Sequence, residues 1–154
     1  MTRAIPSTMH AHANAQSSKL YTYMVQSHQH LDALYARVLN AMHADAPDLC
    51  GLWTEFDHRL SAHMEAEERF LFPAFARVDR IEALALLRDH ADIRAQMLEL
   101  GVAVDLHELR FDKGRDLVEL LRSHAAREDN LLYRWADQNL EQALAEQALA
   151  HAAR

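Results

Sequence analysis

The chain has 154 residues, half of them hydrophobic, a formal net charge of −7 and a single cysteine, Cys50. That size suits one domain around one core. The acidic balance argues against nucleic acid as a main partner, since phosphate binding needs a basic surface, and a lone cysteine rules out an intramolecular disulfide framework. Glycine and proline number only three each, whereas the helix formers Ala, Leu, Glu and Arg abound. The composition therefore predicts an all-α fold. No apolar run is long enough for a membrane span, and the opening MTRAIPSTMHAHANAQSSK lacks the apolar centre of a secretion signal. A reducing cytoplasm is the expected compartment.

Residues 1–17 show no periodicity and are expected to form a flexible N-terminal arm. Ser17 or Ser18 is the expected cap of a first helix running to about Ala44. HADAPD breaks that helix, and Asp45 or Asp48, with Pro47, opens the second. Pro73 is expected to bend or end the second helix. Asp79, with Glu82 three residues on, resembles a capping box for a third helix reaching about Leu106. LHELRFDKG is the next break. A fourth helix starts between Asp112 and Asp116 and ends near Asp137. Residues 138–154 form a short helical tail. Four helices with short connections, over residues 18–137, predict an up-down-up-down antiparallel four-helix bundle.

Eleven histidines are an unusual number for this length. On a wheel of 100° per residue, His63 and Glu67 lie about 40° apart within a stripe of Leu52, Phe56, Leu60, Phe70 and Ala74. Glu65 and Glu68 point away from that stripe. His124 and Glu128 share a second stripe with Leu117, Leu120, Leu121, Leu131 and Trp135. His90 lies among Ala83, Leu86, Leu87, Ile93 and Met97, and His28 among Met24, Leu31 and Tyr35. Each helix thus turns one histidine toward the core, and two helices add a glutamate. Burying two carboxylates near one another is costly unless something compensates them, and a cation does so. A core of histidine–glutamate hydrogen bonds is the alternative, at the cost of poorly compensated charge. The chain also repeats itself: HMEAEERFLFP at 63–73 aligns with HAAREDNLLYR at 124–134, and His28 and His90 stand at nearly equal distances upstream. His30, His43, His58, His107 and His151 are expected in solvent. Glu55 and His58 form a lone ExxH, whereas a ferritin-like site needs two.

SHQHLDALY, HMEAEERFLFP, RDHADI and HAARED together resemble the hemerythrin family, in its bacterial HHE cation-binding form, over about residues 18–137. The resemblance implies a non-haem di-iron centre, oxo- or hydroxo-bridged, inside the bundle. His28, His63, His90 and His124 would be terminal ligands, and Glu67 and Glu128 the bridging carboxylates, with Asp129 in reserve for Glu128. Imidazole plus carboxylate suits iron, and zinc and manganese also fit such donors.

The oxygen-carrying hemerythrins differ in using two histidines one turn apart in the third helix. Here Leu86 and Arg94 stand one turn either side of His90. That leaves an extra open position on the metals, which Tyr21, His10 or His12 is placed to fill. Arg94 is expected to face bound anion or to pair with Asp32. Two functions follow: binding of oxygen, nitric oxide or a related small ligand for storage or sensing, or a redox enzyme acting on peroxide or nitric oxide, or donating iron for iron–sulfur repair. The sequence leaves open whether the chain is catalytic.

Overall fold

The computed structural model describes the backbone of residues 8–106 and 111–154, and the side chains of 19–106 and 111–154. His10, His12 and His107 therefore lie outside the described side chains. Every regular element among the described residues is helical. They form five rods rather than four and a tail. The first is α1 (Thr8–His43). The second is α2 (Leu49–Ala66), continued by a π-helical turn (Glu67–Leu71) and α3 (Phe72–Phe75). The third is α4 (Arg80–Asp105). The fourth is α5 (Phe111–Arg127), a second π-helical turn (Glu128–Leu132) and α6 (Tyr133–Asn139). The fifth is α7 (Gln142–Ala152). No helix among them is long and apolar enough to cross a membrane.

The first helix starts earlier than expected, and the caps of the others agree with expectation in position but not in every detail. Helix α1 starts at Thr8, so its backbone runs through Ser17 and Ser18 without a break there. Asp45 caps nothing downstream. It takes a left-handed φ of 47°, and the Ala46 amide reaches back to the Ala41 carbonyl at 2.9 Å. That closes α1 in the way glycine usually closes a helix. Asp48 holds the N-cap position of α2 without a side-chain hydrogen bond. At the start of α4, Asp79 accepts from the Glu82 amide at 2.9 Å as a cap should, but the Glu82 carboxylate turns to Arg127 instead of completing the box.

Helix α1 packs on α2, α5, α6 and α7, and α4 packs on α2, α3 and α5. Two apolar clusters result. One gathers Leu31, Tyr35, Phe56, Leu60, Ile93, Met97 and Leu117. The other gathers Leu20, Met24, Leu71, Phe72, Leu86, Leu132 and Tyr133, together with Ala145 and Ala148 of α7. The C-terminal helix is thus part of a core. Along each long rod one histidine separates the two clusters: His28 between Met24 and Leu31, His63 between Leu60 and Leu71, His90 between Leu86 and Ile93, His124 between Leu117 and Leu132. A polar layer is held at a fixed level between two hydrophobic plugs, each of which keeps water from it.

Candidate metal centre

The polar layer brings together all six residues singled out by the sequence. Glu67, His90 and Glu128 are fully buried, His63 and His124 nearly so, and His28 is mostly buried. Donor atoms of His28, His63, Glu67 and Glu128 lie within 4.8 Å of one another, and so do those of Glu67, His90, His124 and Glu128. The two groups share both carboxylates. In the first, the His28 and His63 Nε2 atoms are 3.0 Å apart, His28 Nε2 is 3.3 Å from Glu128 Oε2, and His63 Nε2 is 3.4 Å from Glu67 Oε1. In the second, His90 Nε2 is 3.4 Å from Glu67 Oε2, and His124 Nε2 is 3.1 Å from Glu128 Oε1. Those four second-group atoms are buried without a hydrogen bond. Buried polar atoms are nearly always partnered, so a set of orphans converging on one point fits a cation.

Each carboxylate is the first residue of a π-helical turn. The Phe72 amide bonds the Glu67 carbonyl five residues back, and the Tyr133 amide bonds that of Glu128. A π turn inserts one residue into the helical phase and is often found at functional sites. The inserted residue explains where the 100° wheel fails. Past Glu67 the core side chains are Leu71, Phe72 and Phe75, not Phe70 and Ala74. Past Glu128 they are Leu132, Tyr133 and Ala136, while Leu131 is 48% exposed. Leu87 of α4, also expected inside, faces solvent. The same turn follows Arg127, where no proline is near, so Pro73 is not its cause.

Every histidine holds a second partner at Nδ1. His28 meets Asp129 at 2.9 Å, His90 meets Glu68 at 2.8 Å, His63 meets Ser27 at 2.9 Å, and His124 meets Asp89 at 3.2 Å. The pattern obeys the internal repeat. The acid after each core glutamate serves the upstream histidine of the other half. The residue before each upstream histidine serves the histidine of the same half. Donation from Nδ1–H leaves the Nε2 lone pair aimed at the centre and fixes the ring. Sequence reasoning missed this shell: Glu68 was expected outside and Asp129 as a substitute ligand. Arg94 does not pair with Asp32. It pairs with Glu68 at 2.6 Å, and Asp32 pairs with Arg122. His151 is also less exposed than expected, lying against Glu65 and Phe70. Tyr21 packs at the edge of the second apolar cluster.

The family model of the hemerythrin HHE cation-binding domain matches residues 19–136. The chain belongs to the hemerythrin HHE cation-binding family. No curated protein and no solved structure matches it. As an HHE domain it is a cation-binding protein, and the described residues offer the donors.

The electrostatics of this HHE site are those of a strongly coupled cluster. Burial works against the His28 imidazolium, yet Asp129 and Glu128 outweigh it and hold its pKa up at about 10. His90 stands at about 10 for the same reason, with Glu128 and Glu67 opposing its burial. His124 is raised too, burial again being overcome by Glu128. Burial and the Glu128 charge push Glu67 up, but His63 and His90 prevail and bring it to about 2. Glu128 is likewise held well below the ordinary carboxylate range, its burial outweighed by His124 and His28. Protons on the imidazoles thus balance two buried carboxylates, the charge that a metal would otherwise supply.

One buried residue of the site was read from the sequence only as an aromatic. Tyr133 is fully buried, and its hydroxyl donates to Glu67 Oε1. The same oxygen lies 3.2 Å from His28 Nε2 and 3.2 Å from His63 Nε2. Its counterpart in the repeat is Phe72, whose ring packs on His90 with centroids 5.0 Å apart. The sequence signal was present as a single letter, tyrosine where the first half has phenylalanine.

Proposed function

We propose that the chain is a hemerythrin-like non-haem di-iron protein that binds oxygen, nitric oxide or a related small ligand. The observation that carries this reading is the pair of donor groups sharing Glu67 and Glu128. In this reading His28 and His63 would hold one iron, His90 and His124 the other, and Glu67 and Glu128 would be shared between them. On the same reading the four long rods make the antiparallel bundle typical of such sites, and α7 packs against α1 and α2. When bound, the irons supply a reversible one-electron redox couple and open positions for a small ligand.

The chain's own residues set the access. A cavity of about 50 Å³ abuts His28, His63 and His124 and is otherwise walled mainly by Leu31, Leu60, Val118 and Leu121. That volume suits a molecule of roughly two or three heavy atoms, and the apolar walls favour an uncharged one. Asp32 and Arg122 also line it and pair at 2.6 Å. The apolar clusters above and below keep bulk water from the carboxylates.

The test is metal analysis after anaerobic loading with ferrous iron, followed by optical spectra on exposure to oxygen, azide and nitric oxide. Two irons per chain and a reversible spectral change with oxygen or nitric oxide are expected. Fewer than one iron per chain defeats the di-iron reading. Catalytic turnover of peroxide or nitric oxide, with no stable adduct, replaces the binding role by an enzymatic one.

A further inference from the structure

The two halves of the site are related by the internal repeat in their ligands and in the placing of their second partners, but they differ in the ring that closes each half. Where the first half ends in Phe72, the second ends in Tyr133, and the phenolic oxygen enters the donor group of His28 and His63. In an octahedral site with bonds of about 2.1 Å, neighbouring donors stand about 3.0 Å apart and opposite ones about 4.2 Å. The Tyr133 Oη is 3.2 Å from both Nε2 atoms, 3.5 Å from Glu128 Oε2 and hydrogen-bonded to Glu67 Oε1. It therefore neighbours all four donors at once. His63 also neighbours His28, His28 neighbours Glu128, and Glu67 neighbours His63. That spacing is compatible with four donors forming a base and Oη an apex. At the other group the counterpart is Phe72, whose ring packs on His90 and carries no oxygen.

We propose that Tyr133 is a fifth protein donor to the His28–His63 metal, and that exogenous ligand goes to the His90–His124 metal. The inference rests on the di-iron reading. Each iron receives two imidazoles and two carboxylate oxygens from the chain, and only the first receives a phenolic oxygen. The tyrosine O–H bond breaks, its proton leaves to solvent, and the oxygen–iron bond forms with no change of oxidation state. The His90–His124 iron keeps one more open position, while the small cavity reaches His28, His63 and His124 alike.

The experiment is resonance Raman spectroscopy of the ferric-loaded full chain, wild type and Tyr133→Phe, with iron counted in both. Wild type should hold two irons and show tyrosinate ring modes under visible excitation. Tyr133→Phe should hold two irons and lose those modes. Should that variant fail to fold, ring-deuterated tyrosine in the wild type must shift the modes, and Tyr21→Phe must keep them. Two irons in the wild type without tyrosinate modes overturns the proposal and leaves the di-iron reading standing. Modes that persist in Tyr133→Phe, or vanish in Tyr21→Phe, overturn it as well. Fewer than one iron in the wild type removes both.

Discussion

Replacing Glu128 by glutamine removes one charge from the centre of the molecule while conserving shape. Glu128 is fully buried and faces three imidazoles: His124 at 3.1 Å, His28 at 3.3 Å and His90 at 3.6 Å. In the metal-free protein His28 and His90 each have pKa values of about 10, three units above pH 7. Each therefore carries up to about 4 kcal/mol of charge stabilisation at neutral pH. Glu128 is one of several anions behind each, so the variant forfeits part of both. Breaking a buried ion pair by removing one partner costs about 3–5 kcal/mol, which is a large share of a typical domain's stability of about 5–15 kcal/mol. Urea denaturation of the metal-free proteins at pH 7 should show that loss as a lower midpoint with an unchanged slope. The gap should narrow as pH rises through 10, where the wild-type imidazoles lose their protons too. If the di-iron reading holds, iron content should fall below two per chain, since both donor groups lose a shared oxygen. A loss under about 1 kcal/mol, or a variant that still binds two irons, would refute the reasoning.

The metal-free protein should be most stable between about pH 4.5 and 6.5. His28 and His90 have folded values near 10 against 6.5 unfolded, so their contribution is complete below 6.5 and lost as pH rises through 10. Glu67 has about 2 against 4.5, so its contribution is complete above 4.5 and lost as pH falls through 2. Thermal melts across pH check this, and a melting point that climbs from pH 7 to 10 contradicts it. Asp129→Asn should weaken metal binding by about 10–100-fold, the usual cost of altering a ligand's outer partner. A chelator competition measures it, with an unchanged affinity as the adverse result. Asp45→Gly should stabilise the chain by up to about 1 kcal/mol, because glycine adopts the left-handed φ of 47° without a Cβ penalty. A lower melting point for that variant counts against the strain.

The sequence alone determined the all-helical class, because few glycines and prolines and many helix formers leave little else. It also determined which six residues face inward, because His63 with Glu67, and His124 with Glu128, each lie within one turn, where helical phase holds well. Phase fails beyond a π turn. The wheel therefore chose Phe70, Ala74 and Leu131 where packing chose Leu71, Phe72, Leu132 and Tyr133. Only the tertiary structure decided what lies behind each imidazole. Asp129 reaches His28 and Glu68 reaches His90 across the gap between different rods, and no spacing within one helix reports the distance between two. Nor does periodicity read a hydroxyl: Phe72 and Tyr133 are both large and apolar to a wheel, and only the approach of α6 to α1 and α2 puts the phenolic oxygen against His28 and His63. The packing of α7 was hidden for a similar reason. Ala145 and Ala148 carry little hydrophobic signal, yet their small side chains let that helix lie close against its neighbours.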